Sequence, residues 1–87
     1  MEKSKQKESF PVPASWKSLI GTKIELIRYL TPKECKGQEW CSSPLVIQLS
    51  NGCLLIPMRD DEGNDGGAMW YVNPDAYDGV TIYVQRV

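Results

Sequence analysis

Residues 44–58 read Pro44-Leu45-Val46-Ile47-Gln48-Leu49-Ser50-Asn51-Gly52-Cys53-Leu54-Leu55-Ile56-Pro57-Met58. Two runs of β-branched and aliphatic side chains flank Asn51-Gly52, the dipeptide favoured by a two-residue type I′ hairpin turn. Such a turn pairs Ser50 with Cys53, and the register follows from it. Leu49 then faces Leu54, Ile47 faces Ile56 and Leu45 faces Met58, so that six apolar side chains share one face. Val46, Gln48, Ser50, Cys53, Leu55 and Pro57 make a mixed second face.

Working back from this hairpin, Lys23–Thr31 is a further strand, with Ile24, Leu26 and Leu30 on one face and Arg28 interrupting it. Between the two, Thr31-Pro32-Lys33-Glu34 carries a helix start. Thr31 accepts from the N3 amide, Pro32 suits the first position and Glu34 completes a capping box. Gly37 is read as the stop of this short turn. Ala14–Gly21 is a helical turn that docks Trp16, Leu19 and Ile20 and ends at Gly21. Pro11 and Pro13 keep the stretch before it extended. Residues 1–9, with three lysines and two glutamates, are expected to be a disordered tail.

Working forward, Arg59–Ala68 is a loop, since three glycines and four acids in ten residues suit neither strand nor helix. Met69–Asn73 is a fourth strand and Val80–Arg86 a fifth, with Val80, Ile82 and Val84 inward. The sum is an all-β chain: a five-stranded antiparallel meander, bent into a small, partly closed SH3-like barrel with one short helical turn. It occupies residues 10–87 as a single domain. An open sheet capped by the 32–37 turn is the second architecture.

Composition narrows the chemistry. With 87 residues, 41% hydrophobic and 24% charged, the chain is globular in type and too short for two domains. Net charge is −1, which argues against a nucleic-acid partner because little counterion release is available. There is no histidine, so the commonest general base and zinc ligand is missing. Cys35, Cys41 and Cys53 are odd in number and match no common zinc spacing. They are expected as bystander thiols, with a Cys35–Cys41 bridge the oxidised alternative. The opening MEKSKQKES lacks the apolar region of a signal peptide and no run is long enough to span a bilayer. The expected setting is a reducing cytoplasm, with no membrane partner.

The segment with a functional look is the acidic glycine loop. Asp60, Glu62 and Asn64 alternate like early ligands of a calcium loop, but the sixth position is Asp65 and the twelfth Tyr71. Shifting the frame by one loses the third ligand to Gly63, so the EF-hand reading fails both ways. Gly63-x-x-Gly66-Gly67 is followed by no Lys-Ser or Lys-Thr and is ringed by carboxylates, against a phosphate cradle. The bland reading is a solvated loop whose Asp60 and Asn64 accept from its own amides. The functional one makes Arg59, Asp60, Glu62 and Asn64, together with Trp70, a ligand-binding set. Adjacent Trp70 and Tyr71 point to opposite faces of their strand.

From Leu19 to Trp70, the stretches LIGTKIELIRYLTPKE and VIQLSNGCLLIPMRDDEGNDGGAM resemble a family of small uncharacterised bacterial proteins. Arg59, Asp60, Glu62, Gly63, Asn64 and Gly67 carry the family's loop pattern. The resemblance implies an accessory protein of the orphan kind met on integron cassettes and other mobile elements, with no activity attached. The expected function is therefore a small binding module for a protein or small polar ligand, without catalysis, cofactor or metal. The alternative is a metal-dependent, hydrolase-like site built on Asp60, Asp61 and Glu62.

Overall fold

The computed structural model describes residues 10–87; the expected tail at 1–9 lies outside the described residues. The chain forms helix α1 (Ala14–Lys17), strand β1 (Ile24–Tyr29), helix α2 (Pro32–Gly37), and strands β2 (Ser42–Ser43), β3 (Leu45–Leu49), β4 (Leu54–Leu55), β5 (Met69–Asn73), β6 (Asp78–Ile82) and β7 (Gln85–Arg86). Among the described residues all pairings are antiparallel, in three small sheets ordered β1-β3-β4, β2-β7 and β5-β6. The described residues are thus all-β with two short helices. The sheets do not form the expected five-strand meander, and no closed barrel exists among the described residues.

The central hairpin departs from the expected register by one residue. Ile47 pairs with Leu55 and Gln48 with Leu54, where Ile47 opposite Ile56 was predicted. A type I′ turn needs positive φ at both central residues. Only Gly52 has it, at +89°. The loop is therefore three residues, Ser50-Asn51-Gly52, closed by Gly52 N–H donating to Leu49 O (2.9 Å) and Leu49 N–H donating to Cys53 O (2.9 Å). Ser50 is drawn instead toward β1, donating from its amide to Lys23 O (2.8 Å) and accepting from Lys23 N–H at its hydroxyl (3.0 Å). A one-residue slip exchanges the faces of one strand against the other. The six-residue apolar face is accordingly lost, and Val46 and Leu49, on opposite faces of β3, are both buried.

Val46 is fully enclosed in a core cluster of buried residues with Leu30, Cys35 and Trp40. Helix α2 supplies Cys35 to it, held by the capping box that the sequence predicts: Glu34 N–H donates to Thr31 Oγ1 (3.1 Å) and Thr31 N–H to Glu34 Oε1 (2.8 Å). The stop differs. Gly37 is the last helical residue, and the chain turns at Glu39, whose φ is +62°. Glu39 N–H donates to Lys36 O (3.0 Å) and Trp40 N–H to Cys35 O (2.8 Å), the paired bonds of a Schellman ending. This turn is what drives Trp40 inward.

Three further expectations are corrected. β4 ends at Leu55 rather than Met58, because Pro57 has no N–H to continue a ladder; Met58 makes only an isolated bridge to Gly66. The expected fifth strand divides into β6 and β7, and Val80 is exposed. Across residues 14–21 Trp16 and Ile20 remain exposed and only Leu19 is half-buried, although Gly21 ends the turn as read, with φ +91°. β1 is bulged between Ile24 and Leu26. The three cysteines are unpaired, Cys35 buried and Cys41 and Cys53 exposed. Among the described residues, no helix is long and apolar enough to cross a membrane.

Candidate functional site

The acidic loop is organised around two aspartates with separate tasks. Asp60 closes the loop on itself: Oδ1 accepts from Glu62 N–H (3.1 Å) and Asn64 N–H (3.2 Å), and Oδ2 accepts from Asn64 Nδ2 (3.0 Å). Asn64 Nδ2 also donates to Glu62 Oε1 (3.2 Å). Asn64 thus acts as donor, where it was expected to accept. The Asn64 side-chain amide, then the Asn64 backbone N–H, holds the Asp60 carboxyl below the usual range. Gly63 takes φ +72°, a conformation that non-glycine side chains resist.

Asp65 fastens the loop to the rest of the fold, a role the sequence reading missed. Its Oδ1 accepts from Ser42 N–H (2.9 Å) on β2 and from Gly66 N–H (2.8 Å). Burial works against its ionisation, but these amides outweigh it and the carboxyl lies below its ordinary value. Trp40 Nε1 donates to Gly63 O (2.8 Å), so the core tryptophan also grips the loop. Gly66 and Gly67 approach other backbone closely. A Cβ on Gly66 would lie 2.7 Å from Ser42 O, and one on Gly67 2.7 Å from Met58 O. The signal was present as Asp65-Gly66-Gly67, an acceptor side chain followed by two residues able to sit against a neighbouring chain.

Beside the loop runs an open cleft of about 350 Å³, lined by Leu30, Glu34, Gln38, Trp40, Leu54, Ile56 and Met58. Its floor is apolar because the slipped register turns Leu54 toward the face that carries Val46. Glu34 at the rim is occupied by Arg28, through bonds of 2.8 and 3.1 Å. Arg28, then the Thr31 amide, lowers the Glu34 carboxyl to about 2. Trp40 and Met58 belong to both cleft and loop, the latter with its Sδ 3.4 Å from a Cβ placed on Gly63.

The structure brings Arg59, Asp60, Glu62 and Asn64 together, with Arg59 Nε 3.8 Å from Asp60 Oδ2. Trp70 lies on β5, where its ring stacks on Tyr77 with centroids 6.1 Å apart. Trp70 and Tyr71 are both exposed. Among the described residues, no three Cys, Asp or Glu side chains converge so as to hold a metal ion. Fold and site define an all-β protein with an apolar cleft edged by an internally bonded acidic loop. Comparison with protein-family models, with curated proteins and with solved structures found no match for the chain.

Proposed function

We propose that this protein is a small accessory binding module without catalytic function, and that its ligand is a protein segment bearing an apolar side chain beside basic ones. The observation that carries the reading is the cleft over Leu30, Trp40, Leu54, Ile56 and Met58, of a size that accepts one or two side chains. The exposed acids Asp61 and Glu62 lie on the loop that borders it. An apolar anchor in the cleft and a positive flank along the loop match that layout in chemistry and sign. The metal-dependent hydrolase-like alternative is the weaker one, because both Asp60 oxygens already accept hydrogen bonds within the loop. The resemblance to small bacterial proteins of mobile elements, and a reducing cytoplasmic setting, belong to the same proposal; the unpaired cysteines are consistent with the latter.

The test is a nuclear magnetic resonance titration with two synthetic peptides, one alternating Leu with Arg and the other Leu with Glu. Binding here requires shifts at the Trp40 indole, the Met58 methyl and the amides of 60–64 with the Arg peptide alone. Equal response to both peptides, or shifts centred elsewhere, would reject the reading.

A further inference from the structure

Two surfaces of this chain are left uncovered, and their chemistries complement each other. The first is the β5-β6 hairpin, a two-stranded sheet paired with no other strand among the described residues. Such a hairpin is marginal alone in water. Its strands nevertheless present Trp70, Tyr71 and Val80 to solvent. Tyr77, in the connecting turn, is held at φ +51°, a left-handed conformation a bulky residue adopts only where its surroundings hold it. There its ring lies against Trp70, with an interplanar angle of 27°. The two rings make a platform that is 55% exposed at Trp70 and 70% at Tyr77. Residues 69–83 carry Asp75 and Asp78 and no basic side chain.

The second surface is Phe10-Pro11-Val12-Pro13. Phe10 is 93% exposed, and Pro13 has φ −56° and ψ 142°, which is polyproline II geometry. Residues 10–24 carry Lys17 and Lys23 and no acidic side chain. Segments of this kind dock on exposed aromatic rings at low entropic cost, because the extended form is already set. Acidic groups beside the rings favour a basic neighbour.

We propose that these surfaces cover each other between two copies of the chain: Phe10–Pro13 of one copy lies across Trp70 and Tyr77 of a second. The reciprocal contact then closes a two-fold dimer. A second copy is the occupant because one chain supplies both halves of the contact, one followed by Lys17 and Lys23 and the other flanked by Asp75 and Asp78, and leaves each open to solvent. Reciprocity uses both halves twice and leaves no open end for continued growth. Neither the cleft nor the acidic loop takes part, so this contact and the proposed ligand site stand or fall separately.

Sedimentation velocity on the full chain, on Phe10→Ser, on Trp70→Ser and on their equimolar mixture tests it, with circular dichroism as the check on folding. Wild type should sediment as two chains and each variant alone as one, since a variant homodimer lacks both contacts. The mixture retains one intact contact, Phe10 from one variant on Trp70 from the other. It should recover a two-chain species that dissociates on dilution sooner than wild type. Wild type at single-chain mass up to its solubility limit would overturn the proposal. So would a dimer that survives Phe10→Ser, a side chain too exposed to matter for the fold.

Discussion

The end of helix α2 offers a test in which two readings predict opposite signs. Gly37 looks like the stop in the sequence, yet it is helical, and the left-handed residue is Glu39 at φ +62°. Replacing Gly37 by Ala should therefore stabilise the protein. A helical glycine costs roughly 0.5–1 kcal/mol relative to alanine, and a Cβ at Gly37 meets nothing within 4 Å. Fraying in the last turn places the gain at the lower end, about 0.5 kcal/mol. Glu39→Gly should stabilise too. Left-handed backbone costs a side chain about 1–2 kcal/mol, and glycine's freedom in the unfolded chain returns roughly 0.5–1 of that, leaving about 0.5 kcal/mol. Together the pair should raise the melting temperature by about 4–8 °C, the shift that about 1 kcal/mol produces in a domain of this size. Urea melts followed by tryptophan fluorescence read both changes. Were Gly37 the left-handed residue, alanine there would cost about 1–2 kcal/mol and Glu39→Gly would only add disorder to the unfolded chain. Loss of stability in both variants would refute the assignment.

Gly52→Ala should destabilise by about 1–2 kcal/mol, because φ there is +89°. Asn51→Ala should cost less, about 0.5–1.5 kcal/mol, for the bond that Asn51 Oδ1 accepts from Cys53 N–H. Chemical denaturation ranks the two, and the reverse order would contradict Gly52 as the left-handed residue of the turn. Gly66→Ala should cost about 1–3 kcal/mol, since its Cβ would strike the Pro44 ring and Ser42 O; thermal melts suffice. In Trp40→Phe the Gly63 carbonyl loses its indole donor, and hydrogen exchange at the amides of 60–64 should quicken while β1 and β3 hold. Glu34 has a folded pKa of about 2 against an ordinary 4.5, through Arg28 first. A depressed pKa stabilises above pH 4.5, and that contribution is lost as pH falls from 4.5 through 2. The stability gap between wild type and Glu34→Gln should close across that window, and a constant gap would contradict the ion pair.

The local devices were legible because their causes lie within a few residues. Thr31, Pro32 and Glu34 form the capping box that their spacing predicts, since both bonds span three residues. Asp60 accepts from nearby amides, and Gly63 takes positive φ, for the same reason. The hairpin at Asn51-Gly52 was legible as a hairpin but not in its register. Type I′ and three-residue turns both welcome Asn-Gly, and the choice depends on Ser50 bonding to Lys23, 27 residues earlier in the chain.

The sequence by itself determined that strands dominate, that 32–37 is a short capped helix, and that 59–68 is a loop stiffened by its own aspartate. Propensity, turn chemistry and capping act over short spans and need no partner. Only the tertiary structure decided which side chains became the core and which the cleft. Of three tryptophans Trp40 alone is buried, because the turn at Glu39 aims it at Val46 and Gly63. Asp65 anchors the loop because β2 is folded against it, 23 residues away in sequence. Such outcomes depend on which distant segments share one small core, and in so short a chain that core covers few of the apolar side chains the pattern offers.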